Sequence, residues 1–331
     1  MLMRKALVLT DVSGSDALYC SAKAEQYGRI ESIWVPEMNR RDSVSILGAI
    51  AANTTKIKIA TGIINVYSRT PALIAMSLMT LQELSNGRLL AGLSVGNPDY
   101  VRDIHGMTVT KSINRLREVV SIVRKTSSAK TESISHTGEI FTIRKWTPKF
   151  PASIDSFPIY VGAHNPKLLE FVGEACDGVI LNLVSPENVK SAAKIIQTSA
   201  TRNGREASSV DIASIVMIAV NDDGQIAEQR VRKQIAFYLS RSRQIRMRLG
   251  KGEFSNDIKM VDSLLIEGKQ SEISERLSKN LIDSIAIYGT KNDVERRLLD
   301  YERSGLNLAM FYVAGWMGDA RSFTDSLLSA I

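Results

Sequence analysis

The chain has 331 residues, 44% of them apolar, enough to bury one core of barrel size or two smaller ones. No apolar run reaches the roughly 18 residues of a membrane-spanning helix and Met1–Thr10 lacks a signal-peptide cleavage pattern, so a soluble, cytoplasmic protein with no membrane partner is expected. The formal charge of +7 favours anionic partners, and the two cysteines, Cys20 and Cys176, lack the spacing of a disulfide framework or a zinc site.

Short β-rich runs alternate with longer helical ones along the whole chain. The first half reads KALVLTD then a helix from Ala17, IESIWVPE then Ser43–Ala52, IKIATG then Pro71–Leu84, and LLAGLSVG then Ser112–Lys125. The second half reads FPIYVGA then Pro166–Ala175, GVILNLV then Glu187–Arg202, DIASIVMIAV then a long basic helical region, and LNLAMFYVAG after the helix of KNDVERRLLDYERSG. Strands that are almost wholly apolar and each followed by a helix predict a parallel sheet covered by helices. Eight such units favour a closed (β/α)₈ TIM barrel over an open doubly wound sheet, as one domain spanning residues 1–331. Two stretches exceed ordinary loop length, 126–156 with its β-like HTGEIFTIRKW, and 246–274; both are expected to be insertions that cover a site.

In a barrel, chemistry belongs at the carboxyl ends of the strands. In VGAHNPKLLEF, Asn165 is a good N-cap and Pro166 suits the first helical turn. Lys167 opposes the helix dipole unless an anion sits there, so the stretch is either a phosphate seat or a plain strand-to-helix turn. GLSVGNPDY sets Gly96 and Asn97 at another strand end, where a tight turn is an equal reading. Asp42 is an expected N-cap, whereas Glu37 has no capping duty and is the candidate proton donor, base or hydrogen-bond anchor. His105, His136 and His164 form no metal cluster, and no P-loop, nucleophile elbow or Ser/His/Asp set is present. Between Arg230 and Lys251 eight cations occur without an acid. They form a solvated helix face or a site for an anionic ligand tail; no aromatic interleaving supports nucleic acid.

Three stretches, RIESIWVPEMNRRD, the run from Thr55 to Asn97 that contains TGIINVYSRTP, and PIYVGAHNPKLLEFVGEACDGVILNL, together resemble the bacterial luciferase-like superfamily. They are most similar to its deazaflavin-dependent branch, typified by methylenetetrahydromethanopterin reductase. The resemblance implies a (β/α)₈ barrel with insertions, usually a homodimer, that binds coenzyme F420 or, alternatively, FMN in the barrel mouth and acts on a small-molecule substrate. It implies a bulge with a non-prolyl cis peptide between Gly62 and Ile63, and Ile63 and Ile64 as an apolar backstop behind the ring. Gly96 and Asn97 would line the ring, Asn182 the far wall, and Val161, Gly162, Ala163, His164 and Asn165 would receive the phosphate. Asn65 and Arg69 would contact cofactor or substrate. Two departures stand out: the branch often carries an Asp-His pair where this chain has Pro36 and Glu37, and an acid where it has Asn97. The expected activity is hydride transfer between reduced deazaflavin and a small organic acceptor, with an FMN-dependent monooxygenase and a non-catalytic flavin-binding barrel as alternatives.

Overall fold

Residues 3–37, 41–129, 132–150, 155–314 and 318–331 are described by the computed structural model of the chain. Parts of two expected mouth segments, 38–40 and 315–317, and of the first insertion, 130–131 and 151–154, lie outside the described residues. Eleven strands occur in chain order among the described residues: β1 Arg4–Thr10, β2 Ser32–Pro36, β3 Lys58–Asn65, β4 Leu89–Ser94, β5 Ile134–Thr137, β6 Thr142–Trp146, β7 Ile159–Gly162, β8 Gly178–Asn182, β9 Asp211–Val220, β10 Ala286–Gly289 and β11 Leu308–Ala314. Eight of them, β1, β2, β3, β4, β7, β8, β9 and β11, pair in parallel and close on themselves, because β11 pairs with β1 along its whole length and β9 joins β8 to β11. These are the eight strands legible in the sequence.

Alternation along each strand divides the apolar residues into two layers. Ala6, Val8, Trp34, Ala60, Met310 and Tyr312 fill the barrel interior. Leu7, Leu9, Ile33, Ile59, Ile64 and Val161 pack outward against helix residues such as Leu47, Ile50, Ile74 and Leu78. The amino ends of the strands are closed by charge, Arg4 pairing with both Glu31 and Asp211, while the Tyr160 hydroxyl donates to Asp211. The carboxyl ends stay open.

Four strand-to-helix turns at that open end share one local solution. Thr70, Asn97, Asn165 and Ser185 each cap a helix that begins with proline, at Pro71, Pro98, Pro166 and Pro186. The capping side chain satisfies a free amide, and proline has no amide to leave unsatisfied. The first insertion carries the antiparallel β5–β6 hairpin, clamped by Glu118, which accepts from the amides of Glu139, Ile140 and Phe141. The stretch 246–274 differs from an extended covering loop: it is largely helical, with Arg243–Leu249, Ser255–Ile266 and Ile273–Arg276, and belongs to a longer connection between β9 and β10. β10 adds a parallel strand to the carboxyl half of β9. Among the described residues, no helix is long and apolar enough to cross a membrane.

Candidate functional site

The site begins at an irregularity in β3. Val35 pairs with Thr61 and Pro36 with Ile63, and on the other side Ala60 pairs with Leu90 and Ile64 with Leu93, so β3 carries one extra residue against both neighbours. The extra residue is a β-bulge at Gly62. A Cβ there would lie 2.6 Å from the Pro36 nitrogen and 2.9 Å from the Val35 carbonyl carbon, so glycine is required by the neighbouring backbone. The peptide between Gly62 and Ile63 is trans, not the cis linkage the resemblance implied. The bulge alone absorbs the additional residue.

The bulge sets Ile63 on the floor of a cleft of about 270 Å³ at the carboxyl ends of the strands. Ile180 and Ile215 extend the apolar floor, and Gly62 and Gly162 complete that side. Gly96, Asn97, Tyr100, Ile104 and His105 line the side that follows β4. Gly96 is at φ +69° with the Asn65 amide 2.5 Å from where a Cβ would be, so both backbone and space call for glycine. Asn65 accepts from the Tyr67 amide at 2.9 Å, which fixes its orientation in the cleft wall.

Glu37 lies at the rim. Its carboxylate accepts from Ser68 Oγ at 2.9 Å and from Arg69 Nη2 at 2.8 Å, while its amide donates to the Ile63 carbonyl at 3.2 Å. Burial works against the Arg69 charge, but Glu37 and Asp42 more than offset it and hold the guanidinium above its ordinary value. Asp42 caps the helix Ser43–Asn53 through the Ser45 amide as the sequence indicates, and also pairs with Arg69. Both Glu37 oxygens are therefore engaged as acceptors, which suits an anchor better than a proton donor.

Asn182 also lines the cleft, and its Oδ1 is buried without a donor. Its side chain meets the Tyr238 hydroxyl, which also meets Tyr312. Burial, with the Tyr312 hydroxyl beside it, raises the Tyr238 phenol well above its ordinary value, so it remains protonated. His164 keeps an exposed edge yet is enclosed by surrounding atoms, and that enclosure with the Arg248 charge holds its imidazole well below the ordinary histidine range.

Five expected contact residues do not line the cleft, one of them Arg69, which is held beside it by Glu37 and Asp42. Ile64, Val161 and Ala163 are buried in the outer layer against helices, because side chains alternate along a strand and its extension. Asn165 spends its side-chain oxygen on the Leu168 amide at 2.9 Å. Conversely, Phe237, Tyr238, Arg241, Ser242, Gln244 and Ile245 form a roof that was not identified from the sequence. The basic run signalled only that some anion was involved; the break at Ser242 between two helices, which turns the chain over the mouth, depends on long-range packing. Among the described residues no group of three His, Cys, Asp or Glu side chains could hold a metal ion. An apolar floor and polar rims suit the binding of a flat, partly polar ligand.

A family model described as luciferase-like monooxygenase matches residues 6–308. The chain is 28% identical over 277 residues to a 5,10-methylenetetrahydromethanopterin reductase of Archaeoglobus fulgidus, which covers 82% of each chain. Its fold is similar to the solved coenzyme F420-dependent tetrahydromethanopterin reductase of Methanopyrus kandleri, with a TM-score of 0.88, 19% identity, and 100% and 98% of the two chains covered. It is also similar to an F420-dependent secondary alcohol dehydrogenase in complex with an F420–acetone adduct, with a TM-score of 0.80, 16% identity and the same coverage.

Proposed function

The chain belongs to the luciferase-like monooxygenase family, and from that premise we propose that it is an oxidoreductase that uses coenzyme F420 to move a hydride to or from a small organic acceptor. The observation that carries this reading is the cleft itself: an apolar floor at Ile63 faces a wall in which the Asn182 Oδ1 is buried without a donor. A planar heterocycle with a ring N–H fits those residues, since it offers apolar faces to the floor and the missing donor to Asn182. When bound, such a deazaflavin supplies hydride chemistry.

The chain's own residues then bind and orient. Ile63 supports the ring from below, Gly62 and Gly162 keep that side of the cleft shallow, and His164 meets the acidic part of the ligand. Asn65 and Asn97 offer amides to the polar edge. Glu37, held by Ser68 and Arg69, anchors a donor on the substrate rather than giving up a proton. Reduction of an already cationic carbon needs no acid, so a methylene-pterin or a related electrophile fits a mouth whose rim acid is engaged in this way. The test is direct: single-turnover oxidation of bound reduced coenzyme by candidate acceptors.

A second reading, an FMN-dependent monooxygenase, follows from the family's own description, and oxygen uptake with reduced FMN distinguishes it. We also propose a cytoplasmic homodimer. The helix Ser43–Asn53 carries no charge, and its neighbour Pro71–Leu84 leaves Leu73, Met76 and Leu84 exposed, an apolar stripe with Glu83 at its carboxyl end that a second copy would cover.

A further inference from the structure

Leu73, Met76 and Leu84 belong to the stripe proposed for a second copy, and the exposed Ile104 lines the cleft. Met247 and Ile266, 55% and 88% exposed, belong to neither: both line a separate groove of about 690 Å³. Helical spacing builds it. Arg243, Arg246, Met247 and Gly250, at i, i+3, i+4 and i+7, share one face of the helix Arg243–Leu249 and the turn after it, whereas Gln244 and Ile245 on another face line the cleft. Ile258, Asp262, Leu265 and Ile266, at i, i+4, i+7 and i+8, share one face of the helix Ser255–Ile266. The two faces converge where a Cβ on Gly250 would lie 3.3 Å from Ile258 Cγ2. Ile258 is buried and Leu265 half-buried, so the apolar floor lies below the rim formed by Met247 and Ile266. From Ile258 to Ile266 the trough runs about 12 Å, two helical turns.

Three of the eight cations between Arg230 and Lys251 line this groove. Arg246 donates to Asp262 at 2.6 Å, so the acid of the groove is already matched, while Arg243 and Lys251 are exposed on the rim. Just outside, Glu267 pairs with Lys269. Water serves the two exposed cations well enough; their part is to decide which apolar surface can settle on the floor. A flat membrane would rest on Met247 and Ile266 and leave Ile258 and Leu265 uncovered. A second copy would bring another surface of a chain whose net charge is +7. An amphipathic helix whose apolar stripe is flanked by acids suits both the floor and the rim.

We propose that this groove docks an amphipathic helix with acidic flanks, supplied by another protein. The occupant would lie against the back of the helix whose other face roofs the cleft. Nothing in this assignment depends on which ligand the cleft takes.

The test uses the full chain without coenzyme and a fluorescein-labelled synthetic peptide of about 14 residues, about 21 Å long as a helix. Leucines at i, i+3, i+4 and i+7 form its apolar stripe and glutamates flank them; a second peptide carries lysine in place of every glutamate. Fluorescence anisotropy should show saturable binding of the glutamate peptide with a micromolar Kd, and binding of the lysine peptide about tenfold or more weaker. Ile266→Glu and Arg243→Glu change exposed side chains, so the fold is kept, and each should weaken binding of the glutamate peptide about tenfold. Met247→Glu repeats the test at a second apolar rim position should Ile266→Glu fail to fold. Absence of saturable binding overturns the proposal, as do equal affinities for the two peptides or a folded Ile266→Glu protein that binds like the wild type. Sedimentation separates the other occupants. An assembly dispersed by Ile266→Glu would give the groove to a second copy, and co-sedimentation with phosphatidylserine vesicles that Ile266→Glu abolishes would give it to a membrane; either result also overturns the proposal.

Discussion

Adding one methyl group at the bulge should cost stability and ligand affinity together. In Gly62→Ala the new Cβ would lie 2.6, 2.8 and 2.9 Å from Pro36 N, Pro36 Cα and the Val35 carbonyl carbon. All three are backbone atoms of β2, so relief requires a strand to move rather than a rotamer to change. Overpacking of this kind costs about 1–3 kcal/mol. With an unfolding entropy of about 2.1 cal/mol/K per residue, 1 kcal/mol corresponds to about 1.4 °C for a chain of this length, so a fall of about 1–5 °C in melting temperature is expected. The displaced end of β2 also carries Glu37, whose amide is bonded to the Ile63 carbonyl, so affinity for the cleft ligand should fall as well. Gly48→Ala is the control: that glycine lies inside the helix Ser43–Asn53 with nothing within 4 Å of a new Cβ, and the change should stabilise by about 0.5–1 kcal/mol. Differential scanning calorimetry of both variants, with equilibrium ligand binding, reads the outcome. A Gly62→Ala protein as stable as the wild type, whatever its affinity, would refute the packing argument.

Other consequences follow from individual groups. Burial pushes the thiol of Cys20 up to about 11 and that of Cys176 up to about 12, so neither should react with a thiol reagent at pH 8 in the native protein and both should react once it is unfolded. Fast labelling of the native protein would contradict this. Burial raises the Glu118 carboxyl, but the amides of Phe141, Ile140 and Glu139 and the His136 contact more than offset it, and the group is held below its ordinary value. A depressed carboxylate contributes its full stability above the ordinary value of about 4.3 and loses it as pH falls through the folded value. Hydrogen exchange at residues 139–141 should therefore accelerate, relative to the barrel strands, on moving from pH 7 to about pH 3.5, and in Glu118→Gln already at pH 7. Glu37→Gln should lower ligand affinity, since a hydrogen bond to a charged group is worth about 1.5–3 kcal/mol, without changing the shape of the pH–rate profile. Loss of one limb of that profile would restore Glu37 to a proton-transfer role.

The barrel was legible because its signals are local. Each apolar run is buried on both faces, and residues such as Asn165 with Pro166 mark helix starts by capping chemistry that needs no distant partner. The mouth was legible where a strand end identified it, at Glu37, Ile63, Asn65, Asn97, His164 and Asn182. Strict alternation, applied one step further, would have removed Ile64 and Val161, whose neighbours on the chain face the cleft. The trans peptide at Gly62 shows the limit of arguing from likeness, since an extra residue in β3 accounts for the irregularity without a cis bond. The roof from Phe237 to Ile245, and Arg248, which donates to the Asn182 carbonyl, lie far along the chain from the strands they cover, and only the folded connection between β9 and β10 brings them there.

Equilibrium titration of the purified chain with coenzyme F420 and with FMN, in wild type and in Ile63→Asp, bears most closely on the proposed activity. Coenzyme F420 should bind in the micromolar range and FMN about tenfold or more weakly, and a carboxylate placed on the floor should abolish both. Tighter binding of FMN, or affinities that Ile63→Asp leaves unchanged, would mean that this cleft does not hold a deazaflavin against its apolar floor.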